Sequence, residues 1–351
     1  MPSRSPAVPD PSTEYSFDPA AEVAEREVGE PPGLGPWRLA ARRLRRNRVA
    51  LGFLALFFLI VALCLAAPLY ADHVAGIGPS DNNLTGKVER GGEQRDVVTP
   101  DGTPIGPGFG KEYLLGADAN GRDVAVRLLY GGRNSLFVGF MSALITTLIA
   151  TALGLIAGYF RGKTDLATRT LFDILWSFPV LLFAIALGTA LAVGGLDLGP
   201  IHIAGNSIWI PTLVIGFVLI PYLGRPIRGQ VLSLREKEFV QAAEASGMGP
   251  WRIIFGELLP NLSSTIIVFT TLIVANNIIL EAGLSFLGAG IQPPAPSWGN
   301  LIANGVDRLV TAPHLAIVPG LAIVLTVLSL NVFGDGLRDA LDPRAKLRLR
   351  A

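Results

Sequence analysis

The chain has 351 residues, half of them hydrophobic and 16% charged, with a net charge of +1. A soluble domain carries about a quarter charged residues; here the deficit sits in long uncharged runs, which excludes an ordinary soluble domain and points to membrane spans. The near-neutral balance implies no polyanionic partner, the single cysteine, Cys64, forbids an intrachain disulfide, and His73, His202 and His314 lie too far apart for metal-ligand spacing.

Residues 1–36 carry seven acidic residues and two arginines among Pro, Ser and Ala, with few large apolar side chains. Such a segment buries too little surface to offset its ordering entropy, so a disordered tail is expected. It is not read as a secretory leader, because the first apolar run starts late and is long. Residues 37–48 hold six arginines and run straight into an uncharged stretch. That placement favours a basic juxtamembrane helix beside anionic lipid over a nucleic-acid patch. The first span is 49–71, and a basic helix plus this span makes up 37–71. Residues 72–133 form a long segment, Gly-, Asp- and Asn-rich to 112 and approaching the membrane again from 113. Further uncharged runs at 134–158, 174–194, 209–224, 263–280 and 315–334 bring the expected total to six helices, five of them in a core over 134–334. A tail over 335–351 follows.

Lys and Arg near the helix ends set the orientation. With the N-terminus inside, segments 37–48, 159–170, 225–262 and 335–351 hold six, three, five and five basic residues. The opposite segments 195–208 and 287–314 hold none and one. The segment 72–133 holds seven but is a domain-sized insertion, where the rule weakens. The fold class is therefore an all-α integral membrane protein with six transmembrane helices, N-in and C-in.

The charged break at 225–262 contains QAAEASGMGPWRIIFGELLP over 241–260. Glu236 to Ser246 suits a short amphipathic helix, with Phe239, Val240, Ala242 and Ala243 expected on one face. Gly247 can take a left-handed conformation and stop it, Gly249-Pro250 reinforces the turn, and a second helical stretch runs from Trp251 to Leu259 before Pro260. The product is a compact elbow able to transmit a push. The bland alternative is an amphipathic loop on the lipid surface.

This stretch nearly matches EAA–x3–G–x9–I–x–LP, the loop by which permeases of ATP-binding-cassette (ABC) importers grip their ATPase. Three further stretches agree: LLGADANGRDVAVRLLYGGRNSL over 114–136, EAGLSFLGAGIQPPAPSWGNLI over 281–302, and GDGLRDALDPR over 334–344. Arg46-Asn47-Arg48, the first span and Ala67-Pro68 also fit. Over about 37–345 the chain resembles the second, shorter permease of the dipeptide/oligopeptide/nickel ABC importer family. Gln241 stands where the motif has Glu, Glu257 where it has Ile, and Ala117 where the outer signature has Thr.

The resemblance implies a type I ABC importer permease fold and an ATPase-coupling loop at Phe239, Gln241, Ala242, Ala243, Gly247, Leu259 and Pro260. The outer signature comprises Gly116, Asp118, Gly121, Arg122, Asp123, Arg127, Gly131 and Arg133. A homologous second permease, two cytoplasmic ATP-binding subunits and an extracytoplasmic solute-binding protein are implied partners, in the lipid membrane and without nucleic acid. No cofactor is expected in this chain, since ATP and Mg would bind the partner subunits. Peptides are the first cargo implied and nickel complexes the second. From their mixed signs and close spacing, Arg122, Asp123, Arg127 and Arg133 are read as an internal salt-bridge frame in preference to a docking patch.

Asp173 and Glu281 fall near helix ends, where hydrogen bonding or an arginine partner is favoured over a pathway role. Asn276 and Asn277 lie deeper, and solute contact and interhelical bonding both stay open for them. GYFRGKT over 158–164 has the wrong spacing for a phosphate loop and follows a membrane helix, and no metalloprotease or serine-hydrolase motif exists. A gradient-driven secondary transporter or channel is the alternative class, but it needs ionisable groups at the midplane, where this chain has almost none. A membrane scaffold would leave six spans and the elbow unexplained.

Overall fold

The computed structural model describes residues 36–108 and 110–341, which are predominantly helical. The tail expected over 1–36 lies outside the described residues except for Pro36, as does 342–351 of the C-terminal tail.

The basic helix α1 (Pro36–Arg46) leads into α2 (Arg48–Leu65). Asn47 starts the second helix by accepting the Ala50 N–H at 3.0 Å. A short helix, α3 (Ala67–Tyr70), and a π-turn over Ala71–Ala75 follow. The long insertion contains an antiparallel hairpin, β1 (Lys87–Arg90) and β2 (Glu93–Asp96), with Lys87 opposite Asp96. Arg90 fastens it by donating to the Gly106 carbonyl at 2.7 Å and the Tyr113 carbonyl at 2.9 Å.

The second long helix, α4 (Val124–Phe160), has 37 residues and starts well before the expected 134. Residues 124–133, assigned from the sequence to the outer segment, are therefore helical. Charge counting stops at Arg133 and Arg127, whereas the helix is started by the Asp123 cap and keeps Arg127 paired with Asp118 at 3.5 Å. The run expected as one span over 174–194 is two helices, α5 (Gly162–Trp176) and α6 (Val180–Gly194), which meet at 86°. Pro179 stands at the break; it lacks an N–H and disfavours the helical conformation in the residue before it. A second hairpin, β3 (Leu196–Leu198) and β4 (Ile201–Ile203), connects to α7 (Trp209–Val218) and α8 (Ile220–Arg235), which together form one span. Helix thus continues past 224 into the loop assigned to 225–262.

The elbow helix α9 (Glu238–Ala245) comes next, then α10 (Pro250–Ile253), a π-turn over Ile254–Leu258, and α11 (Leu259–Phe286). Pro260 does not end the helical stretch, because in the first turn of α11 its missing N–H costs nothing. The fifth span is Pro250–Phe286, longer at both ends than 263–280. After an outer loop come α12 (Trp298–Val306) and α13 (His314–Leu341), which also extends past the expected 334. Among the described residues five helical stretches are long and apolar enough to cross a membrane, and six when the bent α5–α6 pair counts as one.

The helices pack through small residues. Gly154 and Gly158 of α4 lie against α8: a Cβ on Gly158 would stand 2.6 Å from that of Val231. Bulky side chains such as Phe140, Leu148, Leu182 and Leu321 point outward, as lipid permits and water does not. The ends sort into two sets. Arg161 of the α4–α5 turn pairs with Glu236 at 2.7 Å, and a cavity at this end is lined by Gln230, Ser264, Thr265 and Arg338. At the other end Asn134 donates to the Pro296 carbonyl at 2.8 Å and Arg308 to the Gly102 carbonyl at 3.0 Å.

A candidate coupling elbow and outer frame

The elbow is built around one helix stop. Gly247 adopts φ +77°, a conformation that favours glycine. Met248 N–H reaches back to the Ala243 carbonyl at 3.1 Å and Gly247 N–H to that of Glu244 at 3.0 Å. This pair of bonds is a Schellman motif, so the chain leaves α9 in a defined direction. Met248 packs onto the core cluster that contains Val240, Ala243 and Ile253.

The single apolar face expected on α9 is instead two faces. Val240 and Ala243 are buried, while Phe239 and Ala242 are exposed. Neighbouring residues on a helix are rotated by about 100°, so the four cannot share one stripe once the helix lies against a body. The inward pair anchors the elbow and the outward pair is free to meet a partner. Gln241 is exposed and donates to the Glu236 carbonyl at 3.3 Å. Leu259 is half-buried and Pro260 exposed where α11 begins.

Polar contacts tie the elbow to α4. Tyr159 donates to Glu244 at 3.4 Å, and the Arg235 guanidinium lies 5.2 Å from the Tyr159 ring centre while donating to the Tyr159 carbonyl. Beside them runs a row of exposed aromatics, Phe160, Trp251 and Phe255, with ring centres 5.7 and 6.1 Å apart. Sequence reasoning missed this row; its signal was the spacing of Trp251 and Phe255 on one helical face.

At the opposite end Asp118 is the hub. It accepts the Asn120 and Arg122 N–H groups at 2.9 and 3.0 Å and pairs with Arg122 Nε at 2.7 Å. Asp123 accepts from Tyr113 N–H at 2.7 Å and caps α4 through Ala125 and Val126 at 2.8 and 3.1 Å. Burial pushes the Asp123 carboxyl above the ordinary carboxylate range, and these three donors oppose that shift. Arg127 is buried and also donates to the Pro79 carbonyl at 2.8 Å. Gly116 and Gly121 turn the chain at φ +86° and +72°, and Gly131 brings α4 against the Ser297 backbone. The structure brings these residues together but not Arg133, which is exposed at the rim of an apolar cavity with Phe57, Phe137 and Phe140.

Asn277 and Asn276 part company. Asn277 is fully buried and bonds the Ser142 hydroxyl of α4 at 2.7 Å, whereas Asn276 is exposed and has no partner among the described residues. Glu281 is fully buried and accepts from Ser285 at 2.6 Å, and Ser285 accepts from Ile291 N–H at 2.9 Å, so the carboxyl supports the outer loop. Asp173 pairs with Arg225 at 2.8 Å. Gly158, in the stretch that resembles a phosphate loop, is packed inside α4. No group of three metal-ligating side chains occurs among the described residues.

Residues 150–347 match the family described as "binding-protein-dependent transport system inner membrane component". The chain belongs to that family. It is thus a multi-pass inner-membrane permease component. Residues 35–85 match the N-terminal transmembrane domain of oligopeptide transport permease C, in agreement with the second-permease resemblance. The chain is 37% identical to the dipeptide transport system permease protein DppC of Alkalihalophilus pseudofirmus over 89% of this chain and 91% of that protein. It is 36% identical to the glutathione transport system permease protein GsiD of Pectobacterium atrosepticum, over 89% and 92% of the two chains. To the oligopeptide transport system permease protein OppC of Haemophilus influenzae it is 35% identical, over 95% and 97%. A solved structure of the MetNI methionine ABC transporter superposes with TM-score 0.50 at 16% identity, covering 62% of this chain and 96% of that one. The importer-permease fold is common to both.

Proposed function

We propose that this chain is the second permease of an ATP-driven importer that carries di- or oligopeptides into the cytoplasm. The observation that carries the reading is the elbow: a Schellman-terminated helix, anchored by Val240 and Ala243, that presents Phe239 and Ala242 outward. Relatives named for dipeptide, glutathione and oligopeptide transport, each matched along about nine tenths of this chain or more, support peptides over nickel complexes. Arginine-rich α1 and the basic flanks of α8 and α10 assign the elbow end to the cytoplasm.

On this reading the chain does no covalent chemistry, and ATP and Mg bind two cytoplasmic subunits. One of them seats on the elbow, and a homologous permease completes the pathway. A solute-binding protein delivers cargo at the end framed by Asp118 and Asp123. Asn276 is the best-placed pathway residue, being polar, deep in α11 and unpartnered among the described residues.

The test is co-purification with the ATP-binding subunits and uptake of a labelled tripeptide by proteoliposomes. Ala242→Arg should abolish both ATPase capture and uptake while leaving the thermal midpoint of the purified chain unchanged. Ala243→Arg is a poorer test, because Ala243 is buried and its replacement disturbs the core. Uptake that follows an ion gradient without ATP would establish the secondary-transporter alternative. Uptake of nickel without peptide would replace the cargo.

A further inference from the structure

Two arginines of α8 grip α5. Arg228 donates through Nη2 to Asp165 Oδ2 at 2.8 Å and through Nε to Oδ1, a two-pronged pair. One turn earlier, Arg225 donates to Asp173 at 2.8 Å and to the Phe172 carbonyl at 3.2 Å, and its guanidinium lies 4.6 Å from the Trp176 ring centre. Next to Arg225, Gly224 lets the helices close: a Cβ there would stand 2.4 Å from the Phe172 ring.

The first pair differs from the other ion pairs at this end. The Arg228 and Asp165 side chains are 20% and 16% exposed, against 45% and 71% for Arg161–Glu236 and 40% and 72% for Arg225–Asp173. Solvent screens it least, so pulling it apart costs most.

Its position gives it a use. α8 runs into the elbow, with only Glu236 and Lys237 between it and α9. α5 ends at the Ser177–Pro179 break, beyond which the chain turns by 86° into α6. On α6, Gly188 packs against the Ala289 carbonyl of the outer loop, where a Cβ would stand at 2.8 Å. A displacement of the elbow that moves α8 must therefore carry α5 with it or break a shielded ion pair. No other sheltered ion pair links α5 to α8 among the described residues.

We propose that the Asp165–Arg228 clamp is the transmission that carries elbow motion through α5 into α6 and the outer loop. Asp165 and Arg228 are positioning residues for transport, in contact with neither ATP nor cargo. The proposal rests on the functional reading above.

The experiment uses the complete transporter with its partner subunits and binding protein in proteoliposomes. Asp165→Asn should keep the ATP-binding subunits bound and basal ATP hydrolysis intact, while tripeptide uptake and its stimulation of hydrolysis fall about tenfold. The reversed pair, Asp165→Arg with Arg228→Asp, should recover most of that loss, which neither single change does. Arg228→Lys keeps the charge without the fork and should give an intermediate loss, and it decides the matter if Asp165→Asn does not assemble. Wild-type uptake by Asp165→Asn or Arg228→Lys overturns the clamp alone. So does loss of ATPase binding in step with uptake across these variants, or failure of the reversed pair to recover. Failure of the wild-type chain to capture an ATP-binding subunit overturns the functional reading, and the clamp with it.

Discussion

Asp118 and Asp123 are both buried acids of the outer signature, yet they hold different things. Asp118 neutralises two arginines, whereas Asp123 is surrounded by backbone donors. Replacing Asp123 by Ala removes an N-cap, at about 0.5–2 kcal/mol. It also strands the Tyr113 N–H, at about 1–3 kcal/mol. The thermal midpoint in detergent should fall clearly for Asp123→Ala and less for Asp123→Asn, which still offers one acceptor; equal midpoints would show that the cap contributes nothing. Mixed signs at close spacing made an internal pairing of Arg122 and Arg127 legible but not its acid: both pair with Asp118, while Asp123, read as part of that frame, caps α4 instead. The separation of Arg133 was not legible either, because the helical start at Val124 carries Arg133 nearly three turns away from Asp123, to the rim of a cavity lined mainly by α2 and α4.

Elements show where hydropathy stops being informative. Uncharged runs locate the part of each helix that lipid surrounds, but caps and paired charges decide where helices end. Hence α4 begins at Val124, and α8 continues to Arg235, next to the Glu236 that pairs with Arg161. The break between α5 and α6 had a visible sign in Pro179, but the 86° angle depends on how α5 lies along α8. The α4–α8 contact rests on Gly154 and Gly158, whose i, i+4 spacing within an apolar run is visible in the sequence. Gly158→Val should overpack that contact by about 1–3 kcal/mol. Lower yield and thermal midpoint, with a smaller effect for Gly158→Ala, are the expected readings. In the elbow, Gly247→Pro is incompatible with φ +77° and should abolish uptake; retention of full uptake would show that the helix stop is dispensable.

For the whole molecule, the prediction is sidedness. In a Cys64→Ala background, a single cysteine at exposed Gln241 should react only with reagent inside the cell, and one at exposed Asp101 only with reagent outside. The opposite pattern would invert the orientation and remove the elbow from any cytoplasmic ATPase. The interlocking of the two ends gives this test its reach. Contacts such as Arg161–Glu236 hold one set of loops together and Asn134–Pro296 the other, so labelling one residue in each set orients all of them.

Composition and charge asymmetry by themselves determined the membrane setting, the approximate number of crossings and which loops share a side, because burial in lipid and the bias of Lys and Arg act on local sequence. Motif spacing located the elbow and the outer signature. Tertiary structure alone decided which face of α9 is anchored and which is offered. It also decided that Asn277 is engaged while Asn276 is not, and that Asp165 meets Arg228. Each depends on which surface of a helix finds a neighbour, and helical periodicity gives the angle between side chains but not the direction of the body they pack against.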